Sequence, residues 1–493
     1  MSGELREWAR AWAAAQTLEP DVVVTCGAGS HLGVLAGAFP RACVLSCEQA
    51  DRGVPGRAAA PNVVAVPPER FETLLVRALT HGFEVLRAAP PPLVAAGAPG
   101  AAEFAALLAH ARRTAEIERT TLRRLGATWL DNLERNMPVL AREPGVTAWN
   151  SALAGKPVLV AGAGPSLQPV LPGLRANRRR FVLLAATSAL RPLWRAGLVA
   201  DAAVVIEGRE CLHHVEGIPH EILREIVLFA ESNTHPAHLE LPFRQRVLFH
   251  GAAGSWLEPF SGRGSLLPTG GNVGTAALVL AWLLGGCPVL CAGLDFALAA
   301  GAYYASGSGS RAEEHAGAGT LPVAGWRGEL LQATPELVAY REQTEMVLDV
   351  IARADPRACF VCAGRGGARV RGMAAVDWDR IAPELPPLDD TALPARAPRE
   401  TAANPAQLER AVAEVEARLQ ALAAAADNGL AAWLTAPHGA LTDLLLLQCQ
   451  DEERPDPRER AARLRAASAV ACSRLARIAG AARRACELTE RPR

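Results

Sequence analysis

At 493 residues the chain exceeds what one hydrophobic core usually serves, so two or three domains are expected. Hydrophobic residues make up 50% and charged residues 21%, a globular balance that excludes extended disorder. With 51 basic against 51 acidic side chains and no long run of one sign, nothing points to nucleic acid or an anionic membrane as a partner.

The opening MSGELREWARAWAAA carries acidic residues and two tryptophans where a secretory signal needs a basic start and an unbroken apolar core. The most apolar run, around Ala276 to Leu284, falls short of a membrane span and is broken by glycines and Pro288. A soluble, cytoplasmic protein is the expectation. The 11 cysteines, an odd count, are scattered, with Cys26, Cys43, Cys287 and Cys291 inside apolar segments, as buried free thiols of a reducing compartment would be. Cys359 and Cys362 form a C-x-x-C within the apolar run ACFVC, and no second pair stands at zinc-site spacing, so no metal ligands are assigned. Lys156, followed by Pro157, is the only lysine, so any Schiff base or lysine-bearing phosphate loop would have to use it.

The run DVVVT (21–25) reads as a strand leading into Cys26-Gly27-Ala28-Gly29-Ser30, an apolar helix and a second strand at 42–45 that closes near Glu48. This is the order of a Rossmann-like unit, and residues 1–100 are expected to form a small α/β domain. Its glycine turn either approaches a ligand whose ribose Glu48 would grip, or simply turns the chain at the head of a helix. A Pro-Ala-Gly-rich loop spans 88–101, and helical periodicity with mixed charge follows, so 101–150 is read as a helical connector.

A second and larger α/β unit is expected over 151–383. Strands are predicted at VLVAGAG (158–164), FVLLAA (181–186), AAVVIEG (202–208), IVLFA (226–230), RVLFHG (246–251), PVLCAG (288–293) and ACFVCAG (358–364), with helices between several of them, among them Leu190–Ala196 and one entered from Asn272. The alternation predicts a Rossmann-like parallel sheet covered on both faces. Residues 384–405 read as a linker, and 406–493 as a helical bundle, with Leu, Val and Ala recurring every three or four residues up to about residue 487.

Chemistry in such a sheet belongs at the carboxyl ends of the strands, where three turns stand out. In Gly162-Ala163-Gly164-Pro165-Ser166-Leu167 the two glycines permit close backbone approach, Pro165 sets the turn, and Ser166 offers a hydroxyl and an amide to phosphate; with no G-K-[ST] it is not a Walker loop. Thr269-Gly270-Gly271-Asn272 enters an apolar helix and either clasps another part of a nucleotide or caps that helix. Gly293-Leu294-Asp295-Phe296 follows a fully apolar strand; Asp295 either caps the next segment or accepts a sugar hydroxyl. Tyr303 and Tyr304, two of only 3 tyrosines, carry phenols suited to a departing phosphate or to packing.

At these residues the sequence resembles the motility-associated factor (Maf) flagellin glycosyltransferases, a family similar in turn to archaeal 6-hydroxymethylpterin diphosphokinases (MptE-like) and, more distantly, to bacterial sialyltransferases. The matching segments are VLVAGAGPSL (158–167), AATSALRPLWRAGLVADAAVVIEG (185–208), TGGNVGTAALVLAWLLG (269–285), AGLDFALAAGAYY (292–304) and CAGRGGARVRGM (362–373), joined by CGAGSHLGVLAG and the connector around Asn132 and Asn136. The resemblance spans about residues 20–380. It implies transfer of a nonulosonic acid of the sialic, pseudaminic or legionaminic type from a CMP-sugar to Ser or Thr of flagellin. Gly162 to Leu167, Ser188, Glu207 and Thr269 to Asn272 would hold the CMP, and Asp295, Tyr303, Tyr304 and His315 would serve catalysis, without a cofactor or catalytic metal. Glu207 stands where the family commonly has aspartate. His315 is the histidine downstream of the G-x-D-F stretch, as the related sialyltransferases require of the base, with His235 and His238 as rivals. Two other functions remain open: magnesium-dependent pyrophosphate transfer from ATP to a pterin, using carboxylates such as Asp201, Glu207 or Asp295, and a non-catalytic flagellin-binding accessory role.

Overall fold

Short apolar runs, many of them β-branched, become the parallel strands of two sheets. The computed structural model describes residues 2–16, 20–26, 31–47, 60–81, 83–87, 101–143, 145–258, 266–299, 301–306, 308, 319–364, 366–388, 393, 405–428, 430–436, 438–448 and 460–490. The N-terminal turn Gly27–Ser30, Glu48 and His315 lie outside them. The described residues divide into two units, one of 1–127 with 412–477 and one of 128–411 with 478–493.

In the first unit, α1 (Ser2–Ala14) precedes β1 (Val22–Cys26), α2 (His31–Ala38), β2 (Cys43–Cys47), β3 (Val63–Val66), α3 (Pro68–Thr80) and β4 (Val85–Arg87). The strands form a parallel sheet in the order β3-β2-β1-β4, with Val22 opposite both Cys43 and Val85. Residues Val63–Val66 and Val85–Arg87, not among the expected strands, complete it. Trp8 and Trp12 of α1 pack on a core built from Val23, Leu35 and Val44. The described residues of 406–487 are largely helical, as the periodicity predicts, in segments Pro405–Asp427, Leu430–Thr435, Ala440–Gln448 and Arg460–Glu490, of which residues 412–477 belong to this unit. Asp443, on the third of these, binds His438 Nδ1 at 2.5 Å and His81 Nε2 at 3.3 Å. Desolvation acts to raise its carboxyl pKa, and hydrogen bonds from the two imidazoles outweigh that and hold it well below the usual range.

The expected connector is one helix, α4 (Ala101–Arg142), whose last turns belong to the second unit. That unit is wound on β5 (Val158–Ala161), β6 (Val182–Ala186), β7 (Ala202–Val205), β8 (Val227–Glu231), β9 (Gln245–Phe249), β10 (Val289–Ala292), the hairpin of β11 (Leu321–Ala324) and β12 (Leu330–Ala333), β13 (Phe360–Cys362) and β14 (Ala374–Ala375). Its helices include α5 (Leu171–Ala176), α6 (Leu190–Arg195), α7 (His220–Leu223), α8 (Pro236–Glu240), α9 (Val273–Leu283) and α10 (Pro335–Ala354). The main sheet has 8 strands in the order β14-β13-β10-β5-β6-β7-β8-β9, all paired in parallel. Strands β5 to β8 and β10 are buried along their whole length, which is why they read as continuous apolar runs rather than alternating ones. Burying one such Val, Leu or Phe side chain stabilises by about 1.5–3 kcal/mol. Trp149 meets Phe229 edge to face, with centroids 5.8 Å apart, and the largely apolar α9 lies in the same core. The architecture is Rossmann-like α/β, with a smaller α/β sheet and a helical carboxyl-terminal region.

Candidate functional site at the carboxyl edge of the eight-stranded sheet

Strand order reverses between β5 and β10. From β5 the sheet grows outward to β9, and after α9 the chain returns to lay β10 and then β13 on the other side of β5. Open parallel sheets bind ligands outside the carboxyl ends of the strands at such a switch point.

The turns after β5 and β10 meet there, packed backbone against backbone. Gly162 N donates to Ala292 O and Gly164 N to Gly293 O, each at 2.8 Å. A Cβ on Gly162 would run into Gly293 O and one on Gly293 into Gly162 O, so the close approach these glycines permit is first an approach to each other. Ser166 N donates to Asp295 Oδ2 at 2.8 Å and its hydroxyl to Asp295 Oδ1, while Leu167 N donates to Gly164 O at 3.0 Å. The Gly162, Gly164, Ser166 and Leu167 amides are therefore all used inside the protein, and Pro165 has none to offer; this turn shapes the crevice rather than presenting a row of donors. Asp295 is buried, which raises its carboxyl pKa, and the two Ser166 hydrogen bonds pull the other way. The next residue, Phe296, is held at φ 47°, a strained value for a bulky side chain.

Thr269 to Asn272 opens α9. Gly270 and Gly271 take φ values of 56° and 71°, which places successive amides in a left-handed turn. Asn272 caps the helix by accepting Thr275 N at 2.8 Å, and its Nδ2 donates to Thr275 Oγ1 at 2.8 Å. The Thr275 and Thr344 hydroxyls share a buried 2.6 Å hydrogen bond that fastens α9 to α10. Leu294 joins this helix start to the β5 turn: an added Cβ would lie 2.5 Å from Leu294 Cδ2 on Gly162 and 2.8 Å from it on Gly274.

The three tyrosines of the chain gather here. Tyr340, on α10, stands 3.6 Å from the Cβ position of Gly271 and donates to Glu336 Oε1 at 2.7 Å. Tyr303 and Tyr304 have ring centroids 4.8 Å apart. Burial, then the charge of Glu336, pushes the phenols of Tyr303 and Tyr340 far above their ordinary pKa, and Glu207 adds to the effect at Tyr340. Both phenols thus stay protonated and act as O–H donors.

Glu207 follows β7 and is half-buried; its carbonyl accepts Thr234 Oγ1 and His235 N, each at 2.9 Å. Asn132 and Asn136, one turn apart on α4, clamp the same loops. Asn132 Nδ2 donates to Gly208 O at 2.7 Å and Asn233 O at 3.1 Å, and Asn136 Nδ2 to Ser232 O at 3.0 Å and Thr234 O at 2.8 Å. Ser188 is buried in the turn after β6. His235 caps α8 by accepting Ala237 N, and His238 is buried with its pKa lowered to about 4, chiefly by desolvation. His214 is likewise lowered to about 4, by burial and then by His213 and His238. Asp201 stands before β7, at the opposite edge of the sheet, where its carboxylate accepts Leu183 N and pairs with Arg178 at 2.7 Å.

The structure thus brings Gly162 to Leu167, Asp295, Thr269 to Asn272, Glu207, Tyr303 and Tyr304 to one edge of the sheet. Tyr340 and Glu336 were not among the candidates read from sequence. Their segment carries no glycine turn, and the one available signal was that Tyr340 is the third of three tyrosines. Cys211, His213 and His214, which sit together after β7, were also passed over, because C-x-H-H matches no paired zinc spacing.

Fold and site together define a Rossmann-like α/β protein with a crevice at its topological switch point. Residues 131–301 match the family described as 6-hydroxymethylpterin diphosphokinase MptE-like. Among solved structures, a Maf glycosyltransferase from Magnetospirillum magneticum AMB-1 shares the fold at 16% identity and a TM-score of 0.55, over 99% of this chain and 82% of that one. No curated protein matches. Among the described residues, no helix is long and apolar enough to cross a membrane.

Proposed function

We propose that the second unit is a glycosyltransferase domain that holds a CMP-activated nonulosonic acid at the switch-point crevice and transfers it to a Ser or Thr hydroxyl of flagellin. The observation that carries this reading is the meeting, around Leu294, of the β5 turn and the α9 start, with Tyr340 set against Gly271. The positive end of α9 and the Gly270-Gly271 turn suit the CMP phosphate; the phenol of Tyr303 donates to it as charge develops, and that of Tyr340 does so by turning its proton from Glu336 to the phosphate. In the transfer, the acceptor oxygen bonds to the anomeric carbon while the bond from that carbon to the phosphate oxygen breaks. CMP leaves with the electron pair, and the hydroxyl proton passes to a base. His315 is the residue assigned to that base, and Asp295 acts by holding the Ser166 turn.

The family matched at 131–301 favours a second reading, pyrophosphate transfer to a pterin. That chemistry needs several carboxylates around magnesium and the phosphates, whereas Asp201 lies at the far edge of the sheet and Asp295 is engaged by Ser166, which leaves Glu207 alone of the three at the crevice. The placement favours the transferase. Calorimetry of the full chain with CMP, and separately with ATP and magnesium, distinguishes them: CMP binding weakened by Thr269→Trp supports the proposal, and binding of ATP with magnesium but not CMP overturns it. Co-expression with flagellin should add mass to intact flagellin.

A further inference from the structure

We propose that Cys211, His213 and His214 form a binding site for a borderline-soft divalent cation of the zinc class, with His238 as the fourth ligand. The loop after β7 folds into a short 3-10 turn, Leu212–His214, which brings one sulfur and two imidazole nitrogens within 4.8 Å of one another. The two imidazoles are near neighbours, with centroids 4.2 Å apart, and Arg191 Nη1 anchors their turn by donating to His213 O at 2.9 Å. His213 Nε2 is buried and has no hydrogen-bond partner. Such an orphaned nitrogen is costly in a protein interior unless something occupies its lone pair.

His238, on α8, stands outside that group of three but near enough for its charge to act on His214 and that of His213 to act on it, and it brings the same feature. It is 1% exposed, its ring donates to the backbone carbonyl of Arg209, and its Nε2 is buried without a partner. A hydrogen bond from one ring nitrogen to a carbonyl fixes the tautomer that leaves the other lone pair available, which is how metal-binding histidines are commonly held. One thiolate with three imidazoles and no carboxylate is a donor set for zinc rather than for magnesium or calcium. Binding would deprotonate Cys211, the proton going to solvent. The ion would fasten the loop that carries Glu207 to α8, so its role is to position the crevice rather than to take part in transfer. The assignment does not rest on the proposed reaction.

Cobalt(II) titration of the metal-stripped full chain tests it. The expected result is one cobalt bound, with the visible absorption of tetrahedral coordination and a sulfur-to-metal band, both lost on adding zinc. Cys211→Ser should abolish the sulfur band, and His213→Ala and His238→Ala should each weaken binding by about tenfold or more. Cys472→Ser, which alters a cysteine of the other unit, should change nothing. Far-ultraviolet circular dichroism on every variant separates ligand loss from misfolding. Absence of tetrahedral cobalt absorption in the folded wild-type chain, or a sulfur band that survives Cys211→Ser, overturns the site. Unchanged affinity in His238→Ala overturns the four-ligand assignment.

Discussion

Asn136 offers a direct test of how the crevice is held in place. Its amide is buried and donates to Ser232 O and Thr234 O, and Thr234 in turn binds the carbonyl of Glu207 through its hydroxyl. Asn136→Ala leaves two buried carbonyls without that donor, at about 1–3 kcal/mol each, so a loss of roughly 2–6 kcal/mol is expected for the second unit. Asn136→Asp is almost isosteric but sets a carboxylate oxygen against two carbonyl oxygens, and it should cost at least as much as the alanine. Guanidinium denaturation followed by tryptophan fluorescence reads the loss. Hydrogen exchange should show faster opening at residues 205–210 and 230–236, the loops that the clamp joins. If Asn136→Asp lies within about 0.5 kcal/mol of wild type, the clamp is not a hydrogen-bonding device and the reasoning fails.

Burial pushes the Glu231 carboxyl up to about 8, from an ordinary 4.5, so folding takes up a proton between those values and this contribution to stability falls as pH rises through that window. The slope is about 1.4 kcal/mol per pH unit, and Glu231→Gln should flatten it; denaturation midpoints across the window that keep the same slope in the variant would contradict this. Gly162→Ala drives a methyl into Gly293 O and Leu294 and should cost about 1–3 kcal/mol in chemical denaturation; a neutral result would show that the two turns are not closely packed. Tyr340→Phe removes a phenol donor on α10 and should lower transfer to flagellin by about 10²-fold or more with little change in melting temperature, whereas an unchanged rate would remove Tyr340 from the site.

Much of this was legible along the chain. The apolar runs at 158–161, 182–186, 202–205, 227–230 and 289–292 became central strands because a sheet buried on both faces demands unbroken hydrophobicity, which is a local signal. The glycine turns were visible for a similar reason, since backbone freedom is a property of the residue itself. What each turn touches was not visible. That Gly162 faces Gly293, that the Ser166 amide is taken by Asp295, and that Tyr340 comes to stand beside Gly271 depend on where β10 and α10 enter the sheet. Strand order is set by the packing of distant segments, so only the tertiary structure could decide it.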